Sequence, residues 1–193
     1  MSIDDEIARF DWSSIQTYQG NAEMVPDAVR GLIAAPNEKE AARLGARIER
    51  ILLSVAGPSE GCAPVATVLV AALPKMTPAG HSVALDLLSL IGATQVTGHS
   101  HEQIGAVDID EIREAVAAGF HQYVAVLQAE PSSEGELYSC IDLVEISALH
   151  DPGLAPVAIT ALKSIGTSGR TPDLVALIDN TLGDLPRLPS DSS

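Results

Sequence analysis

The sequence predicts an all-α fold, a short right-handed α-solenoid of about four helix pairs closed by an N-terminal cap, and three observations predict it. First, the string Ala63-Pro64-Val65-Ala66 recurs as Ala155-Pro156-Val157-Ala158, each time opening an apolar run of helical character. The copies stand 92 residues apart, two periods of about 46, within the range of helical repeat units. Second, Thr77-Pro78 and Thr171-Pro172 each read as a helix start, with Thr as N-cap and Pro at the first helical position. Third, only 3% of residues are aromatic while 46% are hydrophobic overall. The core is then filled by Leu, Ile, Val and Ala, and strand signals are poor.

Each element follows in order. Residues 4–20 read as one or two short helical turns around Trp12, ending at Tyr18-Gln19-Gly20. A first helix runs over about residues 25–34 and is broken at Pro36-Asn37. Ala41, Leu44, Ile48, Ile51, Leu52 and Val55 then share one helical face, and Gly57-Pro58 ends that helix. The second pair covers residues 62–73 and 78–91, the latter apolar on most sides and so expected inside the stack. Residues 92–107 form a loop longer than helix connections usually are, expected to be functional or mobile.

The third pair starts at Asp108, with Ile109, Ile112, Val116, Phe120, Tyr123 and Leu127 on one face of a single long helix, and its second helix spans residues 134–149. The fourth pair covers 154–165 and 172–185. One helical repeat domain therefore occupies residues 1–185, and residues 186–193 are a polar, Pro-containing tail.

Charge bounds the partners. The chain has 26 acidic and 11 basic residues, a formal charge of −15, which repels nucleic acid and anionic membranes over a Debye length of about 8 to 10 Å. A basic partner or plain solubility are the two readings of that excess. Cys62 and Cys140 form neither a disulfide framework nor a zinc pattern and are expected to be buried thiols. The acidic start Met-Ser-Ile-Asp-Asp-Glu does not resemble a secretory signal, and no apolar run reaches the length of a membrane span. A cytoplasmic protein that binds neither membrane nor nucleic acid is expected.

Aligning the second helices by their caps brings out an acidic ladder. Asp86 lies nine residues after Thr77, Asp142 nine after Ser133, and Asp179 eight after Thr171. That one-residue offset, about 100° of helix rotation, argues against Asp179 as a member. Asp86 sits among Val83, Ala84, Leu85, Leu87 and Leu88, with Ser82 and Ser89 on its stripe, so its carboxylate must face water or a partner. Second helices line the concave side of a helix-pair solenoid, so Asp86, Asp142 and Glu145 are expected to form one negative groove for a basic ligand. A solvated face without a partner is the competing reading.

Other constellations carry less. His99, His101 and Glu102 have the spacing of ligands on an extended segment but no further ligand follows, and a surface loop is the reading rather than a metal site. Cys62 at a helix start reads as a packing residue, the glycines as helix ends, and the acids around Asp108 as partners of a helix macrodipole. No cofactor and no catalytic residue is assigned.

Trp12, Tyr18 and Gly20, Ala22, Val25-Pro26 and Leu32, followed by a charged turn and a long helix ending at Gly57, resemble the opening of bacterial, often actinobacterial, HEAT-like repeat proteins found beside polymorphic toxins. The resemblance covers about residues 10–75. Members often carry His-Gln-Gly where this chain has Val55-Ala56-Gly57, and an Arg in each second helix where only Arg43 fits here. The resemblance, with the acidity, implies a non-enzymatic binding protein, an immunity protein that occludes the active site of a basic toxin. Trp12, Tyr18, Asp86, Asp142 and Glu145 are the implied partner contacts. A lyase or glycosylase on the same scaffold is the enzymatic alternative, and a glycosylase would require a basic groove with aromatic residues. A structural scaffold in a larger assembly is the third reading.

Overall fold

The chain folds as a mostly helical protein with two very short β-hairpins. The computed structural model describes residues 2–55, 57–95, 105–129, 133–166 and 169–186. Its helices are α1 (Ile3–Ile7), α2 (Val25–Ile33), α3 (Glu38–Leu52), α4 (Cys62–Ala72), α5 (Pro78–Gly92), α6 (Ile109–Ala117), α7 (Phe120–Gln128), α8 (Glu134–His150), α9 (Ala155–Ser164) and α10 (Pro172–Asp184). Their packing makes two layers. α3, α5, α8 and α10 lie side by side in that order, while α2 touches α4, α4 touches α6, and α7 touches α9 behind them. The core between the layers is aliphatic, with Leu32, Ile48, Leu69, Leu85, Leu88, Ile91, Leu137 and Ile141 fully buried. Burying such side chains is the main driving force for assembling the layers.

The caps are those the sequence encodes. Asn37 Oδ1 accepts from the Glu40 amide at 3.0 Å, and Ser133 Oγ accepts from the Glu136 amide at 3.3 Å. Thr77 does more than cap. Its Oγ accepts from the Gly80 amide at 3.2 Å and donates to the Ala35 carbonyl at 2.7 Å, while its own amide donates to the Ile33 carbonyl at 3.1 Å. One residue thus satisfies both the start of α5 and the end of α2. Gly80 is needed beside it, because a Cβ there would run into the Leu32 carbonyl. Thr171 occupies the N-cap position of α10 without making a cap bond; its hydroxyl turns to Glu134 Oε2 at 3.3 Å instead.

Three local readings of the sequence are corrected. Residues 4–20 hold one helix, α1, and then strand β1 (Gln16–Thr17), which pairs with β2 (Gly20–Asn21). Gly20 has φ +99°, a conformation that opens the tight turn to a residue without Cβ. The long helix α3 stops at Leu52, not Val55, because Leu53 turns extended and starts β3 (Leu53–Ser54), paired with β4 (Gly57–Pro58). Val55 is left fully exposed at that turn.

The helix expected over residues 109–127 breaks between α6 and α7 at Ala118-Gly119. Tyr123 explains the break: its ring lies where a Cβ on Gly119 would be, and its hydroxyl donates at 2.8 Å to the Val116 carbonyl, which also accepts from the Gly119 amide at 3.0 Å.

The N-terminal helix α1 packs on α4, and Asp4 pairs with Arg30 of α2 at 2.8 Å. Trp12 is 8% exposed, its Nε1 donates to the Ile7 carbonyl at 2.8 Å, and Phe10 meets it edge to face at 5.5 Å. The two hairpins are tied together beside it. The Tyr18 amide donates to the Ile51 carbonyl at 3.1 Å, the Tyr18 hydroxyl to the Gly57 carbonyl at 3.0 Å, and the Gln16 amide to Glu60 Oε2 at 3.0 Å. Tyr18, Gly20 and Gly57, which contribute to the family resemblance, all lie in these hairpins.

Candidate acidic binding face

α5 and α8 run parallel. Their polar partners climb together along both helices: His81 Nδ1 lies 3.4 Å from Glu136 Oε1, Ser139 Oγ donates to Asp86 Oδ1, and Ser89 Oγ donates to Asp142 Oδ2 at 3.2 Å. α10 continues the array in the same direction, with Thr171 bonded to Glu134 and Thr181 Oγ1 donating to Glu145 Oε2 at 3.2 Å. The three carboxylates singled out from sequence therefore fall on one surface. Each is held by a hydroxyl from the neighbouring helix: Asp86 by Ser139, Asp142 by Ser89, Glu145 by Thr181.

The consequence is a set of fixed negative charges. A hydroxyl bond to one carboxylate oxygen sets the rotamer and leaves the second oxygen without a protein partner among the described residues. Asp86 is exposed, whereas Asp142 and Glu145 are half-buried. Burial pushes the Asp142 carboxyl above its ordinary range, with the Ser89 bond opposing. Glu145 is raised mainly by burial too, and the nearby charges of Asp184 and Asp142 add to it against the Thr181 bond. Such carboxylates gain most from a cation that arrives with its own hydrogen-bond donors.

α5, α8 and α10 contain Asp and Glu but carry no Lys or Arg of their own to offset this charge. The basic residues of the α3–α5–α8–α10 layer are gathered on α3, as Lys39, Arg43, Arg47 and Arg50, where Arg43 is paired to Glu40 at 2.6 Å. Asp179 is exposed on α10, and the α10 residue that meets Glu145 is Thr181.

At the N-terminal ends of α3, α5 and α8 the face opens into a groove of about 890 Å³ lined by Asn37, Lys39, Thr77, Ser82, Ser133 and Glu136, among others. Asn37, Thr77 and Ser133 are occupied as caps and Glu136 faces His81, so these polar groups serve the fold.

The aromatic candidates sit elsewhere. Trp12 is buried and bonded to the Ile7 carbonyl and Tyr18 is half-buried between the hairpins, so the structure brings together Asp86, Asp142 and Glu145 but leaves Trp12 and Tyr18 in the N-terminal segment. The residues that sequence reasoning missed are the hydroxyls that position the acids, above all Ser139 and Thr181. Their signal was a polar residue at a buried helical position: Thr181 lies three residues after Ile178 and four before Leu185, both buried.

Cys62 and Cys140 are both buried, and burial pushes each thiol up to about 12, which keeps them protonated at neutral pH. Among the described residues no group of His, Cys, Asp and Glu is arranged to hold a metal ion, and no helix is long and apolar enough to cross a membrane. The His99, His101 and Glu102 segment lies outside the described residues. Comparison of the chain with family models, curated proteins and solved structures finds no match, so its function is argued from the geometry of this face.

Proposed function

We propose that this chain is a non-enzymatic, protein-binding helical repeat protein whose α5–α8–α10 face holds a basic protein partner. One observation carries the reading: Asp86, Asp142 and Glu145 are each held in place by a hydroxyl on parallel neighbouring helices that contain no Lys or Arg. A solubility device requires only charge in water, whereas these carboxylates are oriented, and two of them stay half-buried at the expense of desolvation. The repeat architecture proposed is a right-handed solenoid of four HEAT-like pairs: α2 with α3, α4 with α5, α6 and α7 with α8, and α9 with α10. The order of the α3–α5–α8–α10 layer and the parallel run of α5, α8 and α10 support it.

The resemblance of residues 10–75 to proteins encoded beside polymorphic toxins extends the proposal to an immunity role, in which the face covers the cationic active site of a bacterial toxin. Fast encounter is what such a role demands, and a charge of −15 supplies it. Two buried free thiols fit the reducing cytoplasm.

The test is cross-linking in the source cell, comparing the wild-type chain with Asp86→Asn, Asp142→Asn and Glu145→Gln combined. A basic protein recovered with the wild type and lost with the triple variant is expected. Recovery of the same protein with both, or of no basic protein, would contradict the reading.

A further inference from the structure

We infer that the segment of the partner seated on this face is an amphipathic basic helix, with cationic side chains over Asp86, Asp142 and Glu145 and apolar side chains against Leu90 and against Leu149. The inference rests on the acidic-face reading and adds the shape and pattern of what binds there. Two leucines carry it. Leu90 and Leu149 are 47% and 53% exposed, although large apolar side chains on a helix normally turn inward.

Their positions repeat. Leu90 follows Asp86 by four residues on α5, and Leu149 follows Glu145 by four residues on α8, so each leucine stands about one turn, roughly 5.4 Å, beyond a carboxylate on the same stripe. With Ser139 beside Asp86 and Ser89 beside Asp142, Leu90 stands level with Asp142, and Leu149 stands about 9 Å farther along, beyond Glu145, so acids and leucines alternate along the face.

Leu149, but not Leu90, lines a seat. Between the C-terminal turns of α5 and α8 is a crevice of about 240 Å³ lined by Gly92, Ala93, Ile146 and Leu149 and bordered by Arg113 and His150. Gly92 lets the helices close up here, since a Cβ would stand 3.2 Å from Ile146 Cδ1. The Arg113 guanidinium disfavours a cation in the crevice, so the apolar side chain that meets Leu149 belongs there and the cations belong over the acids.

The occupant follows from this pattern. A surface that presents acid and leucine one helical turn apart, twice, is complementary to a partner that presents cation and apolar residue at positions i and i+4, which is one face of a helix. A second copy of this chain is a poor occupant, because its own face is acidic and the two copies carry −15 each.

The test uses the full chain and two synthetic peptides of the same Lys and Leu composition, one arranged as an amphipathic helix and one permuted so that the leucines are dispersed around it. Affinity is read by fluorescence anisotropy at low and high salt. The amphipathic peptide is expected to bind about tenfold more tightly than the permuted one, and the double variant Leu90→Ser, Leu149→Ser to lose that advantage while keeping the salt dependence. Equal binding of the two peptides, or leucine variants that bind the amphipathic peptide like the wild type, would overturn the inference and leave the acidic-face reading standing. Unchanged binding of both peptides by the triple amide variant would remove the acidic-face reading itself. A marked fall in melting temperature of the leucine variant would overturn the inference by assigning the leucines to packing within the chain, and a leucine-dependent homodimer in sedimentation would overturn it by placing a second copy there.

Discussion

The Thr181 hydroxyl, on a residue 1% exposed, donates to Glu145 Oε2 at 3.2 Å and joins α10 to α8 through the carboxylate placed nearest the last helix. The pair shows how the face is built: a buried hydroxyl, already oriented by the core, sets the direction of a half-buried acid. Thr181→Val keeps the shape and removes the donor. The variant is expected to lose about 1 kcal/mol of stability. The Glu145 carboxyl is expected to titrate at higher pH than in the wild type, because the bond that opposes its upward shift is gone. An NMR titration of the Glu145 side chain checks it, and an unchanged midpoint would mean the bond does not form in solution.

The raised carboxyls predict a pH dependence with a definite sign. Asp142 and Glu145 hold their protons to higher pH in the folded chain than in the unfolded one. Their contribution to stability is therefore complete below the unfolded carboxylate range and is lost as pH rises through their raised folded values. Asp142→Asn with Glu145→Gln removes this loss while retaining oxygens that accept from Ser89 and Thr181. The double variant is expected to melt at or above the wild-type temperature at neutral pH, and the gap is expected to shrink or reverse toward acid. A double variant much less stable at neutral pH would make the charges necessary to the fold.

Trp12 tests the packing of the N-terminal segment. Its ring is buried, meets Phe10 edge to face, and its Nε1 is bonded to the Ile7 carbonyl. Trp12→Ala is expected to cost about 3 to 5 kcal/mol, measured by denaturant unfolding. Partner binding by the folded fraction is expected to be unchanged, since the acidic face is built from other helices.

The break between α6 and α7 is tested at Tyr123. Tyr123→Phe removes the hydroxyl donor while the Val116 carbonyl keeps the Gly119 amide, and is expected to cost about 0.5 to 1.5 kcal/mol. Gly119→Ala is expected to cost more, because the new methyl collides with a fully buried ring that has no room to swing away. If Gly119→Ala proved stabilising, as in an ordinary helix, the break would not be set by this contact.

Much of this was legible in the sequence because helices announce themselves locally. Pro78 and Pro172, the caps Asn37, Thr77 and Ser133, and the apolar spacing of Ala41, Leu44, Ile48 and Ile51 fixed where the helices run, and cap alignment placed Asp86 and Asp142 on one surface. What was not legible depends on contacts distant in sequence. The hairpin at Gln16–Asn21 is held by Ile51, Gly57 and Glu60, some forty residues away, and a two-residue strand has no period to read. The break at Gly119 needs the Tyr123 ring folded back over it, while the spacing of apolar residues runs through unbroken. The hydroxyl partners Ser139 and Thr181 were hidden because a buried Ser or Thr inside a helix ordinarily bonds its own backbone, and only the neighbouring helix shows why these reach across.

In the reading proposed above, a cationic partner sits on the surface of α5, α8 and α10. NMR chemical-shift mapping of the full chain with a Lys-rich amphipathic peptide tests it most directly. The shifts are predicted to concentrate on Asp86, Leu90, Asp142, Glu145 and Leu149 and to fade as salt is raised. Shifts spread over the acidic side chains of α1, α6 and the N-terminal segment, with none favoured on α5 and α8, would contradict it.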